Sequence, residues 1–77
     1  MGKIISKALA VRLSYERRIG RHVPLTEIAE ATGVYRQAIA RLEEDKTERY
    51  DGEMLAKLCA FYEVRIEDML EYQPGTN

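Results

Sequence analysis

The chain has 77 residues, 45% hydrophobic and 32% charged, with a formal net charge of −1. This is one small globular domain that buries about 60% of its unfolded surface, not a disordered tail. One cysteine and one histidine exclude a disulfide framework and a metal cluster, no apolar run reaches the ~18 residues of a membrane span, and the expected compartment is a reducing cytoplasm.

The charge is unevenly spread. Residues 1–22 hold six Lys/Arg and one acid, residues 23–49 four and six, residues 50–77 two and six. A basic front and an acidic back suit a protein that presents one face to phosphates, and also a solvated surface of uneven charge. Met1-Gly2 with Ser6 fits the N-myristoylation template, a short pattern that often matches by chance. Lys7 and Arg12 interrupt any signal-peptide core.

Residues 4–18 are predicted as a first helix: Ile4, Ala8, Val11 and Tyr15 recur at helical spacing, and Leu9 and Leu13 add a second stripe. Arg12 and Glu16 fall between the stripes. Arg17, Arg18, Arg21 and His22 form a basic end around Gly20. These cations complement a helix C-terminus, and some are candidates for DNA phosphates. His22 has no neighbouring second ligand for a metal.

Pro24 marks the start of a second helix running to about Thr32, with Thr26 and Glu27 in a first turn whose free N–H groups suit a phosphate. Gly33 ends it in the left-handed conformation and Val34 plugs the turn. A third helix spans about Tyr35–Glu44, anchored by Ile39 and Leu42. Its outer face carries Arg36, Gln37, Ala40 and Arg41, residue types that read base edges in a major groove. The same arginines also fit a charge-paired surface, since Glu44 and Asp45 follow Arg41 at helical spacing.

A polar loop at 45–50 leads to Asp51, a good N-cap for a fourth helix carrying Met54, Leu55, Leu58, Cys59 and Phe61 to about Tyr62. Cys59 is expected to be buried. A fifth helix is predicted from Ile66 to about Tyr72, with Met69 and Leu70 inward. No stretch reads as a strand. Pro74-Gly75 ends the domain, placed at 1–73, and leaves residues 74–77 as a flexible tail.

Five helices with the second and third forming a helix-turn-helix resemble the Cro/cI-type (XRE) family of DNA-binding regulators. The resemblance rests on LTEIAEATGV, AIARLEEDKT and IEDMLEY, in that order. KTERYDGEMLAKLC followed by EDMLEY looks like the small members that consist of this domain alone. The resemblance implies an all-α five-helix bundle of the lambda-repressor-like type. It also implies a sequence-specific transcriptional regulator, expected to be a repressor, binding double-stranded DNA as a homodimer on a two-fold operator without a cofactor.

Carried over, the family's roles make Arg36, Gln37 and Arg41 base-contacting, with Ala40 on the same face. Thr26, Lys46 and Arg49 become phosphate-contacting, together with the basic end (Arg17, Arg18, Arg21) and Tyr35. Tyr62, Met69 and Tyr72 would be the exposed dimer contacts. Three departures stand out. Tyr35 replaces the usual Ser or Thr cap of the recognition helix, Glu44-Asp45 replaces a frequent Asn-Gly, and Glu48 and Asp51 add acids near the phosphate-gripping loop. These departures count against tight non-specific DNA affinity, and the acidic back half supports a second reading, a protein-interaction module such as an antitoxin or a repressor antagonist. Neither a nucleophile–base arrangement nor a Gly-rich phosphate loop argues for an enzyme.

Overall fold

The computed structural model describes residues 2–75. The elements run β1 (Lys3–Ser6), α1 (Ala8–Ile19), α2 (Leu25–Thr32), α3 (Arg36–Glu43), α4 (Gly52–Tyr62), α5 (Ile66–Met69) and β2 (Leu70–Gln73). Five helices make an all-α-type bundle, to which a two-stranded ribbon is added. The α2–α3 turn follows from three residues. Gly33 has φ +79°, a conformation open to it for want of a Cβ. Thr32 Oγ1 donates to the Ile28 carbonyl at 2.7 Å and accepts from Val34 N–H at 3.1 Å, bridging the corner from both sides. Val34 is buried there.

Each helix sends one stripe inward. Ala8 and Val11 come from α1, Ile28 from α2, Ile39 and Leu42 from α3, and Leu55, Leu58 and Tyr62 from α4. A fully buried side chain of this size contributes about 1.5–3 kcal/mol. Tyr15, Phe61 and Tyr62 form an aromatic cluster with ring centroids 5.2–5.4 Å apart, which joins α1 to the end of α4. Asp51 caps α4 as the sequence predicts, its Oδ1 accepting from Glu53 N–H at 3.0 Å.

Several expectations need correction. The predicted first helix does not begin at residue 4: Lys3–Ser6 is strand, and the helix starts at Ala8. The fifth helix stops at Met69 rather than Tyr72, because Leu70 turns extended (φ −129°, ψ 150°) and continues as β2. The two segments pair antiparallel, Lys3 opposite Gln73 and Ile4 opposite Tyr72, so the expectation of no strand fails. Ile4 and Ile5 are β-branched and favour this state. Lys7 N–H, donating to the Met69 carbonyl at 2.7 Å, locks the junction.

Tyr62 and Met69, expected as exposed dimer contacts, are in the core at 1% and 0% exposure, Met69 facing inward as its place on the fifth helix predicts; Tyr72 is 62% exposed. Leu9 and Leu13 lie largely on the surface. Cys59 is half-buried, and burial raises its thiol pKa, with the Asp68 charge adding to it. Of the predicted tail, Thr76 and Asn77 lie outside the described residues, as does Met1 of the myristoylation pattern.

Candidate nucleic-acid interface

The buried stripe of α3 fixes what its other side presents. With Ile39 and Leu42 inside, Arg36, Gln37 and Arg41 are exposed and Ala40 is half-buried between them. At 100° per residue the four span an arc of roughly 140°. No side-chain hydrogen bond or ion pair to a described residue engages Arg36, Gln37 or Arg41. The pairing of Arg41 with Glu44 or Asp45 that the spacing allows does not form: Glu44 lies 3.4 Å from Lys46 Nζ instead. Tyr35 precedes α3 as its N-cap residue, without a side-chain cap, and is 85% exposed.

The other expected contacts lie in the segments before and after the α2–α3 pair and in the first turn of α2. Thr26 is exposed in the first turn of α2, whose leading N–H groups lack intrahelical acceptors. Arg21, in the loop before α2, forms a bidentate pair with Glu27 at 2.6 and 2.9 Å. That pair raises the Arg21 pKa and holds the Glu27 carboxyl below its ordinary value. Lys46 and Arg49 are exposed in the loop after α3, and Arg49 makes no ion pair among the described residues. Arg18 is drawn elsewhere: its Nη2 donates to the Tyr62 carbonyl at 2.6 Å, and its guanidinium lies 5.3 Å from the Tyr15 ring centre. Arg17 and Arg18 both line a groove between α1 and the end of α4.

Two features that sequence reasoning missed hold α3 in place. Arg12 reaches from α1 to the last residue of α3, Nε donating to Glu43 Oε2 at 2.6 Å and Nη2 to Oε1 at 3.0 Å. Its Nη1 also meets Glu16 at 3.2 Å. Both side chains of the Arg12–Glu43 pair are largely buried, at 14% and 7% exposure, so the fork-on-fork geometry is shielded from solvent. Hydrogen bonding to Glu43 raises the Arg12 pKa against the opposing effect of burial. Glu16 accepts from Val23 N–H at 2.8 Å and lies 2.8 Å from His22 Nδ1, tying the α1–α2 loop to the same network.

The second feature is Asp45, a non-glycine residue at φ +60°, whose Oδ1 accepts from Ser6 N–H at 3.0 Å. It links the end of α3 to β1. Neither link leaves a local signal in the sequence, because the partners are 31 and 39 residues apart.

Among the described residues no group of His, Cys, Asp and Glu could hold a metal, and no helix is long and apolar enough to cross a membrane. No curated protein and no solved structure matches the chain. Residues 16–75 match the family model of the Cro/C1-type HTH DNA-binding domain, which begins within α1 and leaves β1 outside. With a helix-turn-helix at its centre and that match over most of its length, the chain belongs to the Cro/C1-type helix-turn-helix DNA-binding family.

Proposed function

We propose that the protein is a sequence-specific transcriptional regulator, a repressor, that lays α3 in the major groove of double-stranded DNA. The observation that carries this is the outer face of α3. Arg36, Gln37 and Arg41 stand exposed and unengaged there, while Arg12, Arg18 and Arg21 are all held by protein partners. Arginine forks suit guanine O6 and N7, and a glutamine amide suits adenine N6 and N7. Ala40 offers a methyl group on the same face for a thymine methyl.

Thr26, Tyr35, Lys46 and Arg49 would take the flanking phosphates, and Arg21 would do so by exchanging Glu27 for a phosphate oxygen. Contacts of that kind set register without carrying sequence information. A single recognition helix reads few base pairs, so the protein acts as a two-fold pair on its operator, with recognition helices about 34 Å apart. Selection of bound sequences from a random DNA pool tests this reading. A recovered motif with two-fold symmetry is expected; a pool that stays random overturns sequence-specific binding.

A second reading has its own observation. Glu44, Asp45, Glu48 and Asp51 are exposed in and beside the loop that would grip phosphates. Such an acidic rim favours docking to a basic protein surface, as in an antitoxin or a repressor antagonist.

A further inference from the structure

A concave surface lies away from the outer face of α3. It is a groove of about 590 Å³ between α1 and the turn that joins α4 to α5, within the 300–1,000 Å³ typical of small-molecule sites. Its α1 wall is a helical stripe: Lys7, Ser14, Arg17 and Arg18 at i, i+7, i+10 and i+11. Arg12 and Glu16 leave the helix on another side, toward Glu43 and Val23. The groove is therefore on a different flank from the link to α3, and its occupancy does not depend on the DNA reading.

The lining is amphipathic. Val11, Tyr15 and Val64 supply apolar surface, and Ser14 a hydroxyl. Three cations, Lys7, Arg17 and Arg18, face one acid, Asp68. This is a basic site on a chain whose net charge is −1. Two of the cations are positioned by the protein. Lys7 Nζ donates to the Glu67 carbonyl at 3.0 Å, and Arg18 is fixed by the Tyr62 carbonyl and the Tyr15 ring. The acid is partly occupied, since Asp68 Oδ2 accepts from Arg65 N–H at 3.0 Å. Arg17 makes no ion pair with any described residue. Lys7 Nζ also lies 4.0 Å from Glu71 Oε1, so the excess positive charge of the rim sits at Arg17 and Arg18, and with the apolar floor it is complementary to a ligand with an apolar body and one anionic head.

We propose that this groove binds a small amphipathic anion, a carboxylate, sulfonate or phosphate head on an apolar body of two or three rings. The test uses the full chain and two probes of nearly the same shape. One is 1-anilinonaphthalene-8-sulfonate and the other its uncharged analogue N-phenyl-1-naphthylamine, each followed by amide chemical-shift mapping. The sulfonate is expected to bind once per chain, shifting the amides of Ser14, Arg17 and Val64, and the neutral probe to bind at least tenfold more weakly.

Arg17→Glu, at an exposed and unpartnered position, should weaken sulfonate binding at least tenfold with the amide spectrum of the fold retained. Ala10→Trp should do the same by filling the groove with its charges intact. If Ala10→Trp does not fold, Arg17→Glu decides alone. Equal affinity for the two probes, shifts centred on Leu9 and Leu13 or on Ile66, or an Arg17→Glu protein that binds as before would each overturn the proposal.

Discussion

Glu16 shows how packing assigns roles that periodicity leaves open. It sits between the apolar stripes of α1, and its side chain ends up receiving a backbone N–H from Val23, with His22 and Arg12 close by. The Val23 hydrogen bond is the main reason its carboxyl stays below the ordinary value of 4.5, with His22 and Arg12 adding to it against partial burial. Glu27 is lowered in the same direction by hydrogen bonds from Arg21. A depressed folded-state pKa means that the unfolded chain binds more protons as the solution is acidified. The stabilisation from these carboxylates is therefore present above pH 4.5 and is lost as pH falls through their folded values. Thermal unfolding should show a melting temperature that drops below about pH 4.5, less steeply in Glu16→Gln, which should also melt lower than the parent at neutral pH. Parallel curves for the two proteins would show that Glu16 is not a linked group.

At the scale of elements, what the sequence made legible and what it hid divide by distance along the chain. The helix-turn-helix is local. Gly33, Val34, Ile39 and Leu42 fall within one short stretch, and all sit as their spacing predicts. The exposed face of α3 follows from that stripe directly. The ribbon is non-local: β1 and β2 meet only because the bundle brings the two ends of the described chain together. Ile4 and Ala8 share a helical interval by coincidence, and Tyr62 looks like a surface candidate until the aromatic cluster and α5 close over it.

A ribbon of two strands is marginal alone, and the Ser6–Asp45 bond is one of its anchors. Asp45→Gly removes that carboxylate from a left-handed position that glycine occupies without strain. The net change in stability should stay within about 1 kcal/mol, the lost bond being offset by relief of the backbone. Exchange of the Ser6 amide should nevertheless quicken. Undiminished protection of that amide would mean that β1 is held by other contacts.

Across the whole molecule, a chain of net charge −1 that binds DNA as proposed must do so through the arrangement of its charges rather than their sum. Arg21, Lys46 and Arg49, with their counterparts on a second copy, would neutralise about six phosphates per two-fold pair, so log K against log[salt] should fall with a slope near −0.9 per contact. A response flat in salt would favour the protein-interaction reading. The most direct measurement compares the parent with the variant Arg36→Ala/Gln37→Ala/Arg41→Ala on a selected motif and on scrambled duplex at fixed salt, with the fold verified by amide spectra. Each base-reading side chain is worth about 1–3 kcal/mol of discrimination. The triple variant should therefore lose the preference for the motif while remaining folded, with what affinity it keeps still dependent on salt. A folded triple variant that binds the motif with the parent's affinity and preference would contradict the assignment of α3 as the reader of DNA.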